Sequence, residues 1–203
     1  MWTARDNRVF LPVLAGLIVA AWLALVAWDV SPYARYLHHD TLEGVRLGHD
    51  WPALGLLVLG WTLMTVAMML PTSLPLIALF HRMTGSRADH GRLVALLLAG
   101  YLGVWALFGV VAHLGDLGLH RAIDASAVLE RHEWAIGVAT LLLAGGYQFS
   151  RLKYRCLEQC RSPLSFIMGR WTGRAPGRRA LRLGAAHGLF CLGCCWSLML
   201  VMF

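Results

Sequence analysis

The chain has 203 residues, of which 58% are apolar and only 14% charged, with a formal net charge of +7. Soluble domains carry about 45–50% apolar and about 25% charged residues, so this composition excludes an ordinary soluble fold and predicts an all-α membrane protein. No nucleic-acid-binding motif accompanies the positive charge, which reads as a topology signal and as contact with the anionic headgroups of a lipid bilayer.

Apolar runs able to cross about 30 Å of hydrocarbon occur near residues 9–28, 53–80, 93–114, 134–149 and 183–203. They predict a single polytopic membrane domain over residues 1–203, a bundle of about five transmembrane helices. A cytoplasmic amphipathic interfacial helix is expected in the basic loop 150–182. Fourteen of the 18 Lys and Arg residues fall before the first run, in 81–92 and in 150–182. By the positive-inside rule those segments, the N-terminus included, are cytoplasmic.

The first run carries no polar side chain between Phe10 and Trp28. It is longer than the 7–15 residues of a signal-peptide core, and Leu25-Val-Ala27 is a poor cleavage site, so it predicts a retained anchor helix. The outer loop that follows holds His38, His39 and His49 among Asp29, Asp40, Glu43 and Asp50, a set that is either simply solvated or a loose collector of cations. Trp28, Trp51 and Trp134 suit an outer aromatic belt, and His113 an interfacial position.

The second run reads Met64-Thr-Val-Ala-Met68-Met69-Leu-Pro71-Thr-Ser-Leu-Pro75. Met64 and Met68 share a helix face with Met69 beside them, either filling gaps in a core or offering thioethers to a soft metal. Pro71 and Pro75 each remove a backbone donor, which predicts a kink or unwinding, tolerated in lipid where the break packs on protein or lines a cavity. His81, Arg82, Arg87 and His90 form a basic turn, and Gly100, Gly103, Gly109, Gly145 and Gly146 are expected to let helices approach closely.

If the fourth span continues as a helix past the membrane face, Cys156 and Cys160 lie on one side of it at i and i+4. Ser162-Pro163 then starts a helix over 164–171 along the membrane surface, held by the basic run 174–182. Cytoplasmic thiols stay reduced, hence free or metal-bound. The last run places His187, Cys191 and Cys194 at i, i+4 and i+7, with Cys195 beside them and Met199 and Met202 continuing the stripe. At about 1.5 Å per residue, His187 to Cys195 spans roughly 12 Å, too far for one ion. Two neighbouring positions of this helix are expected to serve one ion, with further ligands from another helix. The run ends at Phe203 while still apolar, which is expected of a truncated product or of an end held by a partner.

Together, Met64, Met68, Met69 and Pro71, then Tyr147-Gln148 with Lys153, Cys156, Cys160-Arg161 and Pro163, then His187-Gly188 and the block Cys191-x-Gly-Cys194-Cys195-Trp196-x-Leu-Met199, resemble the bacterial family of predicted metal-binding integral membrane proteins. The resemblance covers most of residues 53–203. It implies a multi-pass protein of the bacterial inner membrane whose candidate metal site draws on Met64, Met68, Met69, Cys156, Cys160, His187, Cys191, Cys194 and Cys195.

Thiolate and thioether donors favour copper(I), while Cys with His also suits zinc. The last span has no carboxylate for a hard cation. Haem through His187 with His81 or a Met lacks an attachment motif. The absence of a phosphate loop, an H-E-x-x-H or paired carboxylates in a span favours a binding protein over an enzyme, one that transports, stores or delivers metal to a membrane enzyme. Two other readings stand beside it. In one the chain is a structural subunit without metal, packing on other membrane subunits through its C-terminal helix and Gly184-x-x-x-Gly188. In the other it is a thiol redox protein working through Cys191 or Cys194.

Overall fold

The structure, a computed structural model, describes residues 4–32, 34, 51–127, 131–171 and 175–201. His38, His39, His49 and Met202 lie outside the described residues. All regular structure among the described residues is helical: α1 (Ala4–Asp29), α2 (Trp51–Met68), α3 (Leu70–Thr84), α4 (His90–Asp124), α5 (Glu133–Tyr147), α6 (Arg151–Arg161), α7 (Pro163–Met168) and α8 (Pro176–Leu200). Of these, α1, α4 and α8 are long and apolar enough to cross a membrane, and α2 with α3 makes a fourth if the bent pair counts as one span.

The helices differ from the sequence expectation in three places. α2 and α3 meet at a bend of 69° around Met69, where Pro71 occupies the first turn of α3. The break expected from the prolines is there, two residues before the first of them. α5 has 15 residues, a length of about 22 Å that falls short of the bilayer core. It does not run on into the loop. The chain leaves the helix at Gln148, and α6 starts anew with Ser150 as its cap, its hydroxyl accepting the Lys153 amide at 3.1 Å. Finally, α7 is shorter than the expected 164–171: it ends at Met168 and buries Phe166 and Ile167 against α3 and α6 while Leu164 and Met168 stay exposed.

The centre of the bundle is the pair α4 and α8, which run side by side in the same direction. Three glycines remove the side chains that would hold them apart. A Cβ on Gly184 would fall on the Leu97 carbonyl, one on Gly100 on the Leu181 carbonyl, and one on Gly188 at 3.1 Å from the Tyr101 carbonyl. Gly184 and Gly188, expected to receive a partner helix, are therefore filled by α4 of the same chain. Gly109 opens room for the Trp61 indole, whose Nε1 donates to the Trp105 carbonyl at 2.8 Å and ties α2 to α4. Gly103, Gly145 and Gly146 face open space and carry no close approach. At the far end, Phe10 stacks on His81 at 3.8 Å and His81 meets His90 at 4.4 Å, joining α1, α3 and α4.

This packing has a direct test. Gly184→Ala forces backbone apart and is expected to destabilise the bundle by about 1–3 kcal/mol, seen as a lower thermal midpoint in detergent. Gly103→Ala meets nothing within 4 Å and is expected to be neutral or to gain up to about 1 kcal/mol from helix propensity.

Candidate metal centre

α8 carries Cys191, Cys194 and Cys195 at i, i+3 and i+4, an arc of about 100° that faces the bundle. Cβ atoms at such spacings are about 5–6 Å apart, but the thiols turn inward until all three sulfur atoms lie within 4.8 Å of one another. Cys194 Sγ is 3.2 Å from Cys195 Sγ and donates to the Cys191 carbonyl at 3.1 Å. Three sulfurs around one ion at bonds of about 2.3 Å sit about 4 Å apart, so the triad matches that size with little movement. The expectation of two ligands per ion from this helix is thereby corrected. The distance limit holds between His187 and Cys195 but not within one turn, where three side chains can rotate towards a common point.

All five cysteines are free thiols. Cys191 and Cys194 are buried and Cys195 is half-buried. A fourth thiol comes from α6, which packs along α8. Cys160 interacts with Cys191 and Cys194; its pKa is pushed up to about 12, first by the Cys191 thiol and then by burial. Cys156, one turn earlier, is placed differently: a Cβ on Gly193 would be 2.6 Å from its Sγ, so it packs on the backbone of α8, and burial pushes its thiol up.

His187 lies one turn before Cys191 and is 3% exposed. Its Nε2 pairs with Ser73 Oγ of α3 at 3.1 Å, while the buried Nδ1 has no hydrogen-bond partner. The ring stacks on Tyr101 and meets the edge of Phe166, both at 5.6 Å. It stands beside the triad, outside the group of three sulfurs. Met64 and Met69 pack against the apolar core and Met68 is half-buried. Met69 joins the centre through its backbone: its carbonyl, freed at the break, accepts from Thr72 Oγ1 at 2.7 Å and from Tyr101 OH at 3.1 Å.

Tyr101 was not legible as a site residue. Its side chain is 2% exposed, and its hydroxyl lies 3.4 Å from Cys191 Sγ as well as against Met69. A phenol in the middle of an apolar span was the available signal, since its hydroxyl needs a partner there. Tyr147, Gln148 and Lys153 also gain roles. Tyr147 donates to the Gly193 carbonyl, Lys153 to the Gln148 side chain, and Gln148 in turn donates to the Ala144 carbonyl at 2.7 Å. The turn between α5 and α6 is thus fastened to α8 at the level of the thiols.

A sequence model of the copper chaperone family PpoB2 matches residues 58–203, close to the stretch over which the motifs carry their resemblance. No curated protein and no solved structure matches the chain.

The hydroxyl that connects the break to the triad can be removed alone. Tyr101→Phe keeps the ring on His187 and is expected to cost about 0.5–1.5 kcal/mol of stability, measured as a shift in thermal midpoint of the metal-free protein. A wild-type midpoint in Tyr101→Phe would show that the hydroxyl holds nothing in place.

Proposed function

Because the chain belongs to the copper chaperone family PpoB2, we propose that Cys191, Cys194 and Cys195 hold one Cu(I) ion inside a multi-pass membrane bundle and release it to a copper-requiring membrane enzyme. The observation that carries this reading is the convergence of three thiols within 4.8 Å on a single buried helix face. Thiolates are soft donors that suit Cu(I), and removing them from bulk water guards the ion against loss and oxidation. The site holds and delivers the ion as cargo, with no bond-making chemistry of its own.

In this reading Cys160 and His187 are the nearest further donors. Cys156, Met64, Met68 and Met69 support the centre by packing, Met69 also through its carbonyl. A zinc ion would call on His187 to complete four ligands, whereas three sulfurs satisfy Cu(I). The topology completes the proposal. The bent α2–α3 pair crosses once, and α5 crosses together with the turn that follows it, giving five passes in the bacterial inner membrane. The N-terminus and the basic segment 150–182 lie in the cytoplasm, as the distribution of Lys and Arg favours. Leu189 and Leu198 of α8 remain exposed and offer the C-terminal helix to lipid or to the receiving enzyme.

The test is metal analysis of the protein purified anaerobically in mild detergent after Cu(I) loading. One copper per chain is expected, with an X-ray absorption spectrum fitted by three sulfurs at about 2.2–2.3 Å. Changing Cys191, Cys194 and Cys195 together to Ser is expected to abolish binding while the protein stays monodisperse. Copper retained by that triple variant would sink the proposal.

A further inference from the structure

How an ion reaches thiols buried in a bundle is answered by the helix that covers them. The argument rests on the copper reading above and extends it to the route of exchange. α6 lies along α8, with Cys156 against Gly193 and Cys160, one turn on, packed against the buried cluster that includes Cys191. Its exposed residues include Arg151, Arg155, Glu158 and Arg161, beside Leu152 and Tyr154. Four exposed charged side chains on an 11-residue helix cannot face hydrocarbon, so water must reach α6, and with it the level of the thiols. On the side of α4, Tyr101 covers Cys191 and, with Phe166, encloses His187, all of them buried, and α4 touches α8 backbone to backbone.

Between the water-facing side of α6 and the buried pair Cys191 and Cys194 stand the two half-buried thiols, Cys160 and Cys195. We propose that Cys160 is the exchange ligand through which Cu(I) enters and leaves the triad, on the side of the membrane that carries α6. On release, the Cys160 thiol gives its proton to water and its sulfur bonds to the ion. The bond from copper to Cys195 breaks, and the Cys195 sulfur takes up a proton. An incoming thiolate or thioether of the acceptor then displaces Cys160 and the remaining thiolates in turn. Copper stays Cu(I) throughout, and no electrons are transferred. Loading is the reverse sequence.

The experiment uses copper-loaded protein in sealed vesicles of each orientation and a membrane-impermeant Cu(I) chelator, bathocuproine disulfonate. Copper is expected to be stripped quickly only when α6 faces the chelator, and Cys160→Ser is expected to slow stripping by about tenfold or more. In a metal-free arm, a variant with Cys156, Cys191, Cys194 and Cys195 changed to Ser leaves Cys160 as its one thiol. An impermeant maleimide is expected to label it in that same orientation alone. Stripping from the opposite side, an unchanged rate in Cys160→Ser, or a Cys160 that is labelled in neither orientation would overturn the route. The chelator arm needs no multiple variant, so a misfolded quadruple variant leaves the test decisive. Wild-type protein that retains no copper at all would overturn the copper reading instead, and labelling would still report whether water meets Cys160.

Discussion

Contact of backbone with backbone between α4 and α8 is the constraint on which the rest depends. Helices in a bilayer gain little from hydrophobic burial against one another, because lipid is as apolar as leucine, so close packing has to supply the association. Gly100, Gly184 and Gly188 make that packing available, and they also fix its register. With Leu97 opposite Gly184 and Tyr101 opposite Gly188, the phenol of Tyr101 arrives at Cys191 and its ring covers His187. A shift of α4 by one turn, about 5.4 Å, would carry the hydroxyl away from both its partners. The chemistry on α8 is therefore positioned by residues that have no side chain.

Around this pair, two interruptions of regular helix serve the same centre. The bend at Met69 turns α3 so that Ser73 meets His187, and it frees a carbonyl for Tyr101. The break after Tyr147 lets α6 fold back along α8 and bring Cys160 to the triad. Each break leaves backbone groups that would be costly in lipid, and each is met by side chains. Thr72 and Tyr101 serve the first, and Ser150 the second. A bundle of uninterrupted spans would present the same cysteines without a fourth thiol or a water-facing cover.

Helical periodicity was enough to put Cys191, Cys194 and Cys195 on one face, and Pro71 and Pro75 were enough to expect the break. Both are local properties, written in the spacing of residues along one helix. What could not be read was how thiols rotate, because i, i+3 and i+4 positions fix Cβ atoms and leave Sγ free to converge. Cross-helix pairings were equally out of reach. Tyr101 is separated by 90 residues from Cys191, and nothing in Gly184-x-x-x-Gly188 says whether the helix it receives belongs to the same chain. The partners of Phe166 and Ile167 were out of reach for a related reason, since a six-residue apolar helix does not say what its buried face packs against.

The hydrogen bonds from Cys191 through Tyr101 to Met69 have a count of hydrogens as well as a geometry. In the thiol form there are two, one on sulfur and one on the phenol, and two contacts to make, so the Cys191 thiol donates to the Tyr101 oxygen and Tyr101 donates to the Met69 carbonyl. A sulfur that holds a metal ion has no hydrogen left to give. One hydrogen then faces two acceptors, the sulfur and the carbonyl, and whichever loses it is left to other donors; for Met69 that donor is Thr72, already 2.7 Å away. A phenol that turns to the metal-bound sulfur leaves the carbonyl of the bend, 32 residues away along the chain, to Thr72 alone.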